Sequence, residues 1–198
     1  METRKALHYM QVIVKAKEFM KETFKDFTDG HDPSHMIRVY DTAIRIATEY
    51  RGCDVFVISI GALLHHIDDD ELFENVGEDY PTLRKFLADN EVNPDDIEKI
   101  VKLVETYDED DDNPKDLETS IVHDADHLDA IGAIGIARCF AFGAANGDSV
   151  PKSSERFFDK LLTFKDGMLT EYGKKEAEYR QVQMIKFLKG FNAQTRKE

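Results

Sequence analysis

The sequence predicts an all-α protein. Apolar residues recur at three- and four-residue steps through most of the chain, segment starts carry capping residues or proline, and no segment joins strand-like alternation to paired turn signals. A sheet of three or more strands is therefore not expected. With 198 residues, 41% of them apolar, the chain is long enough for one sizeable core, so one compact helical domain over 1–198 is the default.

The first helix is expected over about 3–27, because Leu7, Met10, Ile13, Val14, Phe19, Met20 and Phe24 form one apolar stripe. Thr28-Asp29-Gly30 breaks it. A second helix starts at Pro33-Ser34 and runs to about Tyr50, with Val39, Ala43, Ile46, Ala47 and Tyr50 inward and Gly52 as its stop. Asp54 then reads as the N-cap of VFVISIGALLHHI, which is apolar on nearly every side and so belongs at the centre. Its β-branched residues also suit a strand, but the run exceeds usual strand length and has no strand partner. Asn93-Pro94-Asp95 opens a helix to about Tyr107, and Asp108 to Asp112 with Asn113-Pro114 reads as a solvated loop. Another helix covers Leu117 to about Leu128. The small residues of AIGAIGIARCFAFGAANG suit a tightly packed helix followed by a glycine-rich loop, and two more helices follow over about 152–195. Residues 30–145 thus form the part of the core that carries the motifs below.

Composition excludes several functions. A net charge of −14 opposes binding to nucleic acid backbones, which draws on clustered Lys and Arg. No apolar run approaches the ~20 residues of a membrane span, and the charged first residues do not suit a signal peptide; a soluble cytoplasmic protein is expected. Cys53 and Cys139, without CxxC spacing, read as core thiols. An anionic substrate would be repelled by this chain unless a metal and a few local cations reverse the potential at the site.

Such a site has candidates. His35 lies just inside the second helix, His65 and His66 end the third, and Asp124 and Asp126 fall in a later one. Singly, each can be a structural histidine or a capping aspartate. Together, imidazoles and carboxylates suit a divalent transition metal, and ligation would satisfy two adjacent imidazoles at the end of an apolar helix. Asp124 and Asp126 are about 200° apart on a helix and cannot share a face. Asp129 is better placed than Asp124 to face the same cavity as Asp126, while His123 and His127 read as surface or supporting residues.

The segments HDPSHMIRVYDTA, ALLHHIDDD and VHDADHLDAIGAIGIAR, in this order, resemble the HD-domain phosphohydrolases, most closely the short single-domain bacterial type, over roughly Gly30 to the C-terminal helix. The resemblance implies an all-α HD bundle holding one divalent metal on His35, on His65 with the residue after it, and on Asp126. It departs from the family in one place: the aspartate of the His-Asp pair is His66 here. Imidazole also ligates metals, and exchanging a carboxylate for it favours Fe, Mn, Zn, Ni or Co over Mg. The resemblance gives the literal His31-Asp32 pair a supporting or substrate-side place and selects Asp69, then Asp70, as the catalytic acidic residue. An acidic loop is the plain alternative for that pair.

For phosphate, the candidates are Arg38, Arg138, and Lys160 and Lys165 of RFFDKLLTFKDG, a segment that also resembles the short family members; each can equally be a solvated surface cation. Phe140 and Phe142 either pack in the core or stack a base. The expected activity is attack of metal-activated water on a phosphate ester or anhydride, with a nucleotide implied by the resemblance. The expected partners are that small phosphorylated molecule and a second copy of the chain in a homodimer, with no nucleic acid and no membrane. An HD-type iron oxygenase and a non-catalytic nucleotide-sensing protein are the rival readings.

Overall fold

The computed structural model describes residues 2–27, 31–70, 72–74, 76–109 and 115–195. Its helices are α1 (Glu2–Thr23), α2 (Pro33–Ala47), α3 (Val55–Leu64), α4 (Pro81–Asp89), α5 (Pro94–Thr106), α6 (Leu117–Asp129), α7 (Gly132–Ala145), α8 (Val150–Arg156) and α9 (Glu171–Thr195). A π turn, Phe157–Leu161, prolongs α8, and a 3-10 turn covers Phe164–Gly167. The described residues contain no strand, as expected. No single helix among them is long and apolar enough to cross a membrane. The expected break at Thr28-Asp29-Gly30 and most of the acidic loop, residues 110–114, lie outside the described residues.

α3 is the hub. Every residue from Phe56 to Leu64 is buried, and the helix packs against α1, α2, α5 and α6. Asp54 caps it, accepting from the amides of Phe56 and Val57 at 3.1 and 3.3 Å. α2 lies on both α3 and α6, while α7 packs on α8 and α9. The ends of α3 and α6 and the start of α2 thereby meet in one region.

Three expectations need correction. α1 ends at Thr23 and buries Val12, Ala16, Met20 and Phe24, spaced four apart, whereas Leu7, Met10 and Val14 face outward at 57–63% exposure. The C-terminal half of the expected stripe holds, with Met20 and Phe24 buried and Ile13 and Phe19 packed against the core, but Val12 and Ala16 replace Leu7, Met10 and Val14, because a line carrying a small residue such as Ala16 permits closer helix approach. α2 stops at Ala47, and its N-cap is Asp32, whose carboxylate accepts from the amides of Ser34 and His35 at 2.7 and 3.2 Å. α4 was not anticipated: Tyr80, the residue before it, provides no side-chain cap. Asp68, twelve residues earlier, does so instead, accepting from the amides of Thr82 and Leu83 at 3.3 and 2.9 Å.

The C-terminal helix is tied to α6 by Asp124. This carboxylate, fully buried, accepts from Leu169 N, Thr170 N and Thr170 Oγ1 at 2.8, 2.7 and 2.6 Å. Gly173 is required beside it, since a Cβ there would collide with the carboxylate. Alanine at position 124 would strand three donors, and Asp124→Ala is expected to cost about 3 kcal/mol of stability. Gly173→Ala should also destabilise, by about 1–3 kcal/mol. Denaturant midpoints for both variants equal to that of the wild type would refute this assignment.

Candidate metal centre

His35, His65, His66 and Asp126 converge: one ligand atom from each lies within 4.8 Å of all the others. The first turn of α2 supplies His35, the turn that ends α3 supplies the two adjacent histidines, and the last turn of α6 supplies Asp126. His35 and His65 are 0% and 4% exposed; His66 and Asp126 are half-buried.

The three imidazoles are held in the same way. His35 Nδ1 lies 2.9 Å from Asp129 Oδ2, His65 Nδ1 3.0 Å from Ala62 O, and His66 Nδ1 2.8 Å from Asp69 Oδ2. Each partner accepts only, so each Nδ1 carries the proton and donates, leaving a lone pair on Nε2. His35 Nε2 and His65 Nε2 are buried and have no hydrogen-bond partner. Asp126 Oδ1 stands 3.4 Å from the first and 3.8 Å from the second. Burial pushes both imidazoles below their ordinary range, which keeps them neutral at pH 7. Two buried lone pairs and a carboxylate facing one point are costly by themselves and match what a divalent metal requires.

Asp129 organises the surroundings. Besides His35 it accepts from Arg38 Nε and Nη2 at 2.7 and 2.9 Å and from Arg138 Nη1 at 2.9 Å. Burial alone would raise its carboxyl, but these donors overcome that and hold it at about 2. Contrary to expectation, Asp129 does not line the same cavity as Asp126 but reaches the cluster through His35, whereas Asp124 is spent on α9.

His65, His66 and Asp126 line a cavity of about 730 Å³, together with His31, Asp69, Asp70, Arg138 and Lys160, while His35 lies buried behind them. Tyr107, at the end of α5, stacks edge-on against His65 with ring centres 5.4 Å apart. His127 also lines the cavity, next to the edge of Phe164 at 4.5 Å. Three substrate-side expectations do not reach it. Arg38 is committed to Asp129, Asp32 is the cap of α2, and Lys165 pairs with Asp166 at 3.0 Å. Tyr80, Tyr107 and His127 have no local sequence signal that marks them as cavity residues. Phe140 packs against Phe157, Phe187 and Phe191, while Phe142 lies under Arg156. Cys139 is buried and Cys53 half-buried.

No protein-family model matches the chain. It is 34% identical over 183 residues to protein YpgQ of Bacillus subtilis (strain 168), covering 87% of this chain and 88% of that protein. The crystal structure of B. subtilis YpgQ in complex with ADP superposes with a TM-score of 0.81 at 26% identity, over 92% of this chain and 97% of that one. An HD-superfamily hydrolase from Bacillus thuringiensis superposes with a TM-score of 0.75 at 32% identity, over 92% and 96% of the two chains. By this likeness in sequence and fold, the chain belongs to the family of B. subtilis YpgQ, within the HD superfamily of metal-dependent phosphohydrolases.

Proposed function

We propose that the protein hydrolyses a phosphate bond of a nucleotide at a single divalent metal held by His35, His65, His66 and Asp126. The observation that carries this reading is the pair of buried, unpartnered Nε2 atoms facing Asp126. B. subtilis YpgQ in complex with ADP supports the nucleotide. Three imidazoles and one carboxylate suit Fe, Mn, Zn, Ni or Co better than Mg.

A metal at this site supplies Lewis acidity toward water and a phosphoryl oxygen. The chain's own residues do the rest. Asp69 holds the His66 ring and lines the cavity, where its carboxylate orients the attacking water and takes one proton as the new oxygen–phosphorus bond forms and the bond to the leaving oxygen breaks. Asp70, exposed at the rim, is the lesser candidate for that proton. Lys160 and Arg138 bind phosphoryl oxygens and offset their charge; Arg138 lines the cavity and bonds Asp129 through Nη1 alone, whereas Arg38 uses Nε, Nη1 and Nη2 on Asp129 and Ser34. His31, whose ring centre lies 5.0 Å from that of His66, borders the same space.

The test is elemental analysis of protein purified without chelator, followed by phosphate or pyrophosphate release from a nucleotide panel. About one transition metal per chain and release that is abolished in His65→Ala are expected. Metal-free wild type under every metal supply would refute the site. Tight nucleotide binding with a full complement of metal and no release would instead favour a sensing role.

A further inference from the structure

The metal cavity is acidic along one wall. Asp68, Asp69, Asp70, Glu78, Asp79 and Asp108 all line it, and Arg138 and Lys160 are its only arginine and lysine among the described residues. A second cleft of about 650 Å³ runs between α7 and the α8–π turn segment. The two share His31, Ala130, Arg138, Lys160 and Phe164, so one opens into the other. None of the carboxylates of the 68–79 wall reaches the second cleft, which adds Lys152 and Arg156 together with Asp148 and Glu155, so that its four cations face two carboxylates.

The cations of this cleft are not equivalent. Lys152 is neutralised by Asp148 at 2.5 Å, and Arg138 is bonded to Asp129. Arg156 and Lys160 have no ion-pair partner among the described residues. The Arg156 guanidinium lies over the Phe142 ring, 4.0 Å from its centre, and Lys160 lies 5.5 Å from the centre of Phe164. Stacking fixes the guanidinium plane while leaving its N–H groups for an anion. Lys160 sits within the π turn, an irregularity often found where a helix serves a site. A ligand anchored at the cluster can extend along the acidic wall or into this cleft, and like-charge repulsion steers an anionic extension into the cleft.

We propose that the cleft between α7 and α8 is the far half of the substrate site, where Arg156 and Lys160 hold a second phosphate of a ligand whose first phosphate sits at the His35–His65–His66–Asp126 cluster. The inference rests on the phosphohydrolase reading for the near half. It makes Arg156 a specificity-determining residue that favours ligands carrying two or more linked phosphates over those carrying one.

The experiment is calorimetric titration of the metal-loaded full chain with inorganic tripolyphosphate and with orthophosphate, for wild type, Arg156→Gln and Lys160→Gln, with metal content measured for each. Arg156→Gln is expected to weaken tripolyphosphate about tenfold, the scale of one charge-assisted contact, with orthophosphate affinity and metal content unchanged. Lys160→Gln should weaken both anions, since it borders both halves. Equal tripolyphosphate affinity in Arg156→Gln and wild type would overturn the proposal, as would equal weakening of both anions by Arg156→Gln. Arg156-dependent tripolyphosphate binding in a protein that hydrolyses no nucleotide would uphold the subsite and reject the hydrolase reading.

Discussion

His66→Ala is expected to lose metal as completely as His65→Ala. Both imidazoles are fixed through Nδ1, and both contribute to one cluster. Removing a ligand should cost more than the ~10–100-fold in affinity that follows loss of a supporting partner. His66→Asp should restore metal binding and shift preference toward Mn²⁺ or Mg²⁺, because a second carboxylate hardens the donor set. With three neutral imidazoles and one carboxylate, a divalent site retains about one net positive charge, which holds anionic phosphate more strongly than a two-carboxylate site does. Turnover in His66→Asp can therefore equal or exceed that of wild type if product release is slow. The substitution also ends the His66–Asp69 hydrogen bond and sets two carboxylates near each other, so the apo form of His66→Asp should be the less stable of the two apo proteins. Metal content and nucleotide hydrolysis under identical supply decide the matter. Unchanged metal in His66→Ala would remove His66 from the site, and activity only in His66→Asp would mark the natural protein as a hydrolase scaffold that has lost its chemistry.

The second large effect is expected at Asp129. Asp129→Asn keeps the shape but withdraws the charge that two guanidinium groups and His35 share, and its amide N–H₂ opposes donors. Breaking a buried network of this kind costs about 3–5 kcal/mol. Metal affinity should fall ~10–100-fold as the His35 ring loses its anchor. The pH dependence has a definite sign. The Asp129 carboxyl is depressed to about 2, so its contribution is fully present above the unfolded value of about 3.9 and is lost as pH falls through that window toward 2. Asp129→Asn should lack that part of the acid-induced loss. Denaturant midpoints between pH 2 and 7, for metal-free and metal-loaded protein, measure both effects; coincident curves for wild type and variant would dispose of the hub role.

What could be read in the sequence follows the range of the interactions. α3 and α5 were legible because their caps, Asp54 and Asn93, are adjacent to the segments they cap. α4 is harder to read: Pro81 marks its first turn as Pro33 marks that of α2, but its capping carboxylate comes from Asp68, and Tyr80 before it provides no cap. On α1 the apolar residues exceed what one face can bury, and only the identity of the neighbouring helices decides between Val12–Ala16–Met20 and Leu7–Met10–Val14. Motif order points to the four clustered residues, and the structure brings them together. The phosphate-side residues fared worse, because a cation in a sequence does not show whether a carboxylate already occupies it. Arg38 and Lys165 are taken in this way, whereas Arg156 is not; it opens the RFFDKLLTFKDG segment, but nothing in that segment singles it out beside Lys160 and Lys165.

The cluster draws on chain positions about 30 and 60 residues apart along the sequence. Any ion bridging them would act as a reversible cross-link closing two long loops, and closing loops of that length removes several kcal/mol of freedom from the unfolded chain. Chelation would then work like reduction of a disulfide, loosening α2, the end of α3 and α6 together. Resistance to proteolysis should accordingly follow metal supply, so that the lifetime of this protein in a cell would report on how much metal that cell can spare.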